Sequence, residues 1–308
     1  LTDVHERNFR SHYYDKVGFR AVEEKKSVEI LLKEQTIDNS KLFQFVLRFP
    51  LISAYRLTVW KYLLGVVPVY QEIHEFVMEQ RREQFHDLKH ALIVMEKIDE
   101  KTQPSAVFLQ MYLINEGCLP YDEICMLQEP RNQAFMAITD SVSEISSSEV
   151  ETFWLAVKFF QYLDKFNFVL QPQRTEDYLK KEDKDGTLFN HLQKLHVFEV
   201  IPLQHWFECC FARVLPEDTF ERIWDRVLGG SCKVMVFVAV AMLLTYKWTI
   251  LNMNSAEKII QMLETDISVD SGEMIVNHAL ELWQKYGHQL LPSLSHADSP
   301  VPDARPSA

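Results

Sequence analysis

The sequence predicts an all-α protein, and three observations carry that expectation. Glycine is scarce: there are 8 among 308 residues, where an average usage near 7% would place roughly 20. Hairpins and phosphate loops draw on glycine, so sheets are disfavoured. Apolar residues recur at helical rather than alternating spacing along most of the chain. Start and stop signals bracket these runs, such as the capping-box spacing from Ser148 to Glu151, and Pro216 and Gly229-Gly230 at the two ends of "PEDTFERIWDRVLGG".

The elements follow in order. "DKVGFRAVEEKKSVEILLKEQ" reads as one short amphipathic helix, with Val28, Ile30, Leu31 and Leu32 behind a solvated charge run. Pro50 precedes Ser53, a suitable N-cap, and the next helix runs to Gly65, with Pro68 forbidding continuation. Residues 69–98 form the longest periodic stretch. Its apolar stripe is Ile73, Phe76, Val77, Phe85, Leu88, Leu92 and Met95, opposite the polar "EQRREQ". Pro104, Gly117, Pro120 and Pro130 put at least two loops into 99–132. From Ser148, the residues Val150, Phe153, Trp154, Val157 and Phe160 share one helical face.

A Gln/Pro-rich loop at 171–174 precedes a helix, a turn at Gly186 and a second helix. "LQHWFECCFARVL" reads as a further apolar helix, followed by the Pro216 helix. The run Val234–Tyr246, thirteen residues between Lys233 and Lys247, is a buried core helix, because a membrane span needs about 20 apolar residues. Helices at 255–265 and 271–286 complete the ordered part. Residues 292–308 hold four of the twelve prolines and lack large apolar residues, which predicts a disordered tail. Ser299-Pro300 there is a weak phosphorylation signal. No internal repeat or heptad seam is present.

Composition narrows the function. A formal charge of −12 argues against a nucleic-acid surface and fits a cytosolic protein. Five cysteines at irregular spacing do not form a disulfide framework and fit a reducing compartment. The first residues, LTDVHERNFR, contain no apolar signal segment. His86 and His90 have a zinc-compatible spacing but lack a third ligand, so no metal is expected. Cys209-Cys210, inside an apolar run, read as core rather than redox chemistry. With no glycine-rich phosphate loop, no nucleotide or other cofactor is expected. Tyr13 and Tyr14 read as anchors of the N-terminal segment.

Four motifs stand at informative separations. Arg56-x3-Trp60-x2-Leu63-Leu64-Gly65 comes first. The Trp154 helix follows, then Trp206 with Phe211, and then Ile223-Trp224-Asp225. In this order they resemble a TBC domain, the helical Rab GTPase-activating module, over about residues 50–250. The resemblance implies one TBC domain of two helical lobes at 49–290, with an N-terminal helical extension at 1–48 and the tail at 291–308.

Within the motifs, Arg56 and Trp60 lie four apart and share a helix face. A guanidinium beside a core wants an acidic partner, and Asp225 is the natural candidate, with a surface role for either residue as the alternative. Trp60, Gly65, Trp154, Trp206 and Trp224 read as architecture.

TBC activators carry an arginine in Ile-x-x-Asp-x-x-Arg and a glutamine in Tyr-x-Gln-Gly-Met. An arginine finger is worth ~10³–10⁵ in rate. Here no arginine occurs from Glu83 to Pro130, and neither Asp-x-x-Arg nor Tyr-x-Gln occurs anywhere. "EPRNQAFMAITDSV" falls where the glutamine motif belongs. Gln133 could take the glutamine's place, but Arg131 then stands at the tyrosine position and Ala134-Phe135 at Gly-Met. A degenerate finger region around Arg131 and Gln133 predicts no catalysis.

The whole chain resembles the family member that serves as third subunit of the tuberous sclerosis complex. That resemblance implies a non-catalytic subunit that binds the C-terminal coiled coil of hamartin, helix in groove. Through the complex it would meet tuberin, support its activation of GTP hydrolysis on Rheb, and restrain mTOR signalling. The place would be the cytoplasm, reaching lysosomal or vesicle surfaces through the complex. The alternative is an active Rab GTPase activator that uses Arg131 and Gln133.

Overall fold

The computed structural model describes residues 24–265 and 267–287. Tyr13, Tyr14 and the tail with Ser299-Pro300 lie outside them. Helix is the only extended regular structure among the described residues, joined by one isolated bridge between Thr36 and Tyr70.

The chain opens with α1 (24–32), which buries Val28 and exposes Ile30. Next is α2 (Asn39–Arg48), capped by the Asp38 side chain and burying Leu42, Phe45 and Val46. Sequence reasoning placed no helix there, although Asp38 before the spacing Leu42, Phe45, Val46 is a start signal followed by an apolar face. Ser53 is the first residue of α3 (Ser53–Leu63) rather than its cap; Ile52 holds that position without a side-chain bond. Gly65 adopts a φ of +69° just past the helix, the left-handed stop its position calls for.

A 3-10 turn (Gln71–Ile73) leads into α4 (His74–Val94), the longest helix. Its expected stripe is only partly buried: Phe85 and Leu92 are inside, whereas Ile73, Phe76 and Met95 are exposed. The inward line runs through His74, Met78, Arg81, Phe85 and Leu92, and Phe76 stands about 200° around from His74.

Prolines begin helices here: Pro104 opens α5 (Pro104–Asn115) and Pro130 opens α7 (Pro130–Ile145), with α6 (Glu123–Gln128) between them. The loops expected in 99–132 therefore flank an almost wholly buried helix, α5. α8 (Glu149–Leu163) starts as read, its cap Ser148 accepting from the Glu151 amide at 3.4 Å. Residues 171–174 are not a loop: they form the first turn of α9 (Gln171–Glu182), with Pro172 where a missing N–H costs nothing.

α10 (Thr187–Lys194) and α11 (Val197–Val200) are short. So is α12 (Leu203–Glu208), which corrects the long helix expected over "LQHWFECCFARVL". Cys210, Phe211 and Arg213 have positive φ, so the chain turns out of the helix. That conformation is costly for residues with a Cβ. It is held by full burial of Cys209, Cys210 and Phe211, and by the Cys210 carbonyl accepting from Trp224 Nε1 at 2.8 Å.

α13 (Glu217–Leu228), α14 (Val234–Thr245), α15 (Lys247–Leu251), α16 (Ala256–Leu263) and α17 (Val269–Tyr286) finish the described chain. No described helix is long and apolar enough to cross a membrane.

Helix packing falls into two groups. In the first, α4, α5, α7 and α8 pack on one another. Phe85, Phe108 and Phe153 meet edge to face there at 5.6–5.8 Å. In the second, α14 is wrapped by α17, α9 and α13. α12 against α7, and α2 and α3 leading onto α13, join the groups.

Candidate functional site

The matched motifs converge on a buried node between α3 and α13. Arg56 Nε lies 3.3 Å from each carboxylate oxygen of Asp225. Its Nη2 donates to the Leu51 carbonyl at 2.9 Å, and its Nη1 to Glu221. Trp60 Nε1 donates to Asp225 Oδ1 at 2.8 Å. The two indoles of Trp60 and Trp224 sit 5.7 Å apart, and Phe159 stacks on Trp224 at 4.2 Å.

The expected partner of Arg56 is therefore present. Glu221 and the Leu51 carbonyl complete the set, and sequence reasoning missed both. Glu221 stands four residues before Asp225 and so faces the same way, a spacing that carried the signal. Burial pushes the Asp225 carboxyl up to about 6, against the pull of Arg56 and Trp60. Arg56, Trp60, Trp224 and Asp225 are all buried, and Glu221 at the edge of the node is partly exposed.

The other two fingerprint tryptophans are also structural. Trp154 Nε1 donates to the Arg81 carbonyl at 3.0 Å, with the Arg81 guanidinium 4.7 Å over the ring. Trp206 is buried at 3% exposure against Phe211.

The finger region lies on the first turn of α7. Arg131 forks onto Asp164 at the end of α8, with Nη1 to Oδ1 at 2.8 Å and Nη2 to Oδ2 at 2.6 Å. Its plane also covers the Phe160 ring at 4.8 Å. Asp164 raises the pKa of Arg131, so the guanidinium is charged and already paired. This pair borders a pocket of about 400 Å³ floored by Phe160, Phe166 and Phe168.

Gln133 lines a different pocket, of about 620 Å³, with Trp206, Arg213 and Leu263. Residues two apart on a helix point to opposite sides, so the structure does not bring Arg131 and Gln133 to one place. Ala134 and Phe135, which stand where the motif has Gly-Met, are fully buried. The nearest arginine upstream of the empty window with a partly buried head, Arg81, donates to the Val66 and Gly65 carbonyls at 2.6 and 3.0 Å.

Among the described residues no group of three or more His, Cys, Asp or Glu could hold a metal; His86 and His90 are exposed. All five cysteines are free. Burial pushes the Cys209 thiol up to about 12 and Cys210 well above its usual value, which makes both inert.

Comparison with known proteins agrees with this geometry. The family profile of the Rab-GTPase-TBC domain matches residues 133–251. TBC1 domain family member 7 from Homo sapiens is 44% identical over 289 residues, covering 93% of this chain and 97% of its own length. The protein of that name from Danio rerio is 40% identical over the same shares. Among solved structures, the Ypt/Rab-GAP domain of Gyp1p aligns at a TM-score of 0.57 and 18% identity, over 86% of this chain and 99% of that one, a likeness in fold.

Proposed function

The chain belongs to the TBC-domain family, and on that premise we propose that it is a non-catalytic member acting through protein–protein contact. The observation that supports this most is Arg131. It is the only arginine in the finger region, and its fork is spent on Asp164 while Gln133 faces another pocket. An arginine finger must reach out to a transferring phosphoryl group and is worth ~10³–10⁵ in rate. A guanidinium held bidentate by its own chain must first break that pair.

The proposed partner is the C-terminal coiled coil of hamartin, and through it tuberin. In that complex the chain would steady the assembly that activates GTP hydrolysis on Rheb and restrains mTOR signalling, at whatever membrane surface the complex visits. α4 is the docking face we favour. It is long, and with the turn before it exposes Ile73, Phe76 and Val94 at 44%, 67% and 68%. A helix laid alongside would cover them.

Calorimetric titration of the chain with the isolated hamartin coiled coil tests this. Saturable binding weakened by Phe76→Asp supports the reading. Absence of heat and of co-elution overturns it. A Rab hydrolysis assay in which the chain accelerates turnover, and Arg131→Ala abolishes the acceleration, would favour the active Rab GTPase activator instead.

A further inference from the structure

Tyr121 stands 94% exposed on the loop between α5 and α6, more exposed than any other large hydrophobic residue described. A ring of that size carries a large apolar area, so its place in solvent calls for a reason. Two acids, Asp122 and Glu123, follow it directly. Ile124, the third residue on, is 69% exposed.

The other described tyrosines are held differently. Tyr62, Tyr112, Tyr162 and Tyr286 are buried, and Tyr178 and Tyr246 are half-buried. The Tyr55 hydroxyl donates to Glu29 at 2.6 Å. Tyr70 is exposed, but the bridge to Thr36 pins its backbone. By contrast, Leu119, Pro120 and Tyr121 enter no backbone–backbone hydrogen bond among the described residues. Lys97 Nζ donates to the Tyr121 carbonyl at 3.3 Å and stands 5.2 Å from the ring, and no described group bonds the hydroxyl.

The helix that follows is lightly held. α6 has six residues, against the ~12–15 a helix needs to stand alone. Of its described side chains only Met126 is buried. Its first turn rests on the Asp122 side chain, which accepts from the Ile124 and Cys125 amides at 2.9 and 3.2 Å. Residues 120–124 can therefore open locally while Met126 stays in the core.

We infer that Tyr121 is a phosphorylation site for a tyrosine kinase that favours acidic sequence, and that a phosphotyrosine-binding domain reads the product. The exposed phenol reaches into a kinase cleft, the unpaired backbone extends along it, and Asp122 and Glu123 meet its basic groove. The Tyr121 Oη attacks the γ-phosphorus of ATP, and its proton passes to the catalytic aspartate of the kinase. A phosphorus–oxygen bond forms at Tyr121, the bond to the β-phosphate oxygen breaks, and ADP leaves. The new phosphate, with about two negative charges, suits an arginine cluster. Ile124, about 10 Å along the extended chain, fills an apolar pocket beside that cluster. Neither α4's outer face nor hamartin enters, so this inference stands or falls independently of hamartin binding.

The test treats the full chain with magnesium ATP and a soluble tyrosine kinase selective for acidic substrates. Peptide mapping is expected to place phosphate on Tyr121, about tenfold faster than on any other described tyrosine. Tyr121→Phe should remove that signal and leave the melting temperature unchanged. Glu123→Gln should slow the modification by about threefold or more. The phosphorylated chain is then titrated with an isolated phosphotyrosine-binding domain that has an isoleucine pocket beside its arginine cluster. Saturable binding is expected, weakened about tenfold by Ile124→Ala.

An unmodified Tyr121, another described tyrosine modified first, or an unchanged rate in Glu123→Gln overturns the site. Modification without binding, or binding indifferent to Ile124→Ala, overturns the reading of its product.

Discussion

Two arginine–aspartate pairs divide this molecule. Arg56 and Asp225 meet in the core, at 6% and 2% exposure, enclosed by two tryptophans and joined by Glu221 and a backbone carbonyl. Arg131 and Asp164 meet at the surface, with side chains 51% and 41% exposed, in better two-point geometry. The better-formed fork is the less important one for stability. A charge in the core has no water to fall back on, whereas a surface pair competes with solvent and salt. The buried pair therefore belongs to what holds this fold together, and the surface pair contributes little to it.

Substitutions should separate the two pairs. Arg56→Leu strands Asp225 and Glu221 and is expected to cost about 3–5 kcal/mol, read as a lower urea midpoint with an unchanged slope. A much smaller loss would place the node's worth in its tryptophans instead.

The pH dependence sharpens the same point. The Asp225 carboxyl sits at about 6 in the fold, above roughly 3.9 in the unfolded chain. Its contribution to stability is thus fully present below about pH 4 and is lost as pH rises through about 6. Asp225→Asn cannot ionise. Across that window it should lack an increment of stability loss on the order of 2 kcal/mol that the parent protein shows, measured by urea melts at pH 4.5 and 7. Parallel curves for the two proteins would refute this.

Gly229→Ala probes the join between α2 and α13. A Cβ there would lie 2.9 Å from the Leu47 nitrogen and 3.0 Å from its Cα, both backbone atoms that cannot move alone. The expected cost is about 1–3 kcal/mol, seen as a lower melting temperature. Last comes Arg131→Ala. Loss of an exposed pair costs at most about 1 kcal/mol, and the proposed binding to hamartin should not depend on it. A larger loss would mean that the Phe160 contact matters more than the charge.

Much of the fold was legible because helix signals are local. Ser148 capping α8, Gly65 ending α3, and the buried run of α14 each declare themselves within a few residues. The misreadings have a common cause. Phe76 is apolar yet exposed, and the 171–174 segment is polar yet helical, because neighbouring helices decide which face is covered. The turn after Glu208 was invisible for the same reason: its positive φ values depend on Trp224, which lies beyond Pro216 in sequence.

At the site, the Arg56–Asp225 pairing could be anticipated from two tryptophan-flanked motifs. The capture of Arg131 by Asp164 could not, since 33 positions separate them and nothing in either segment points to the other.

The burial of α14 has a consequence for how the chain is made. From Val234 to Leu243 no residue is more than 2% exposed, and α17 is one of its principal covers. α17 begins only at Val269 and runs to Tyr286. At about 5–20 residues per second, a ribosome needs roughly 2–8 seconds to deliver it after α14 is complete. Throughout that interval α9 and α13 can cover only part of α14, and the nascent chain shows the remaining apolar flank to its surroundings.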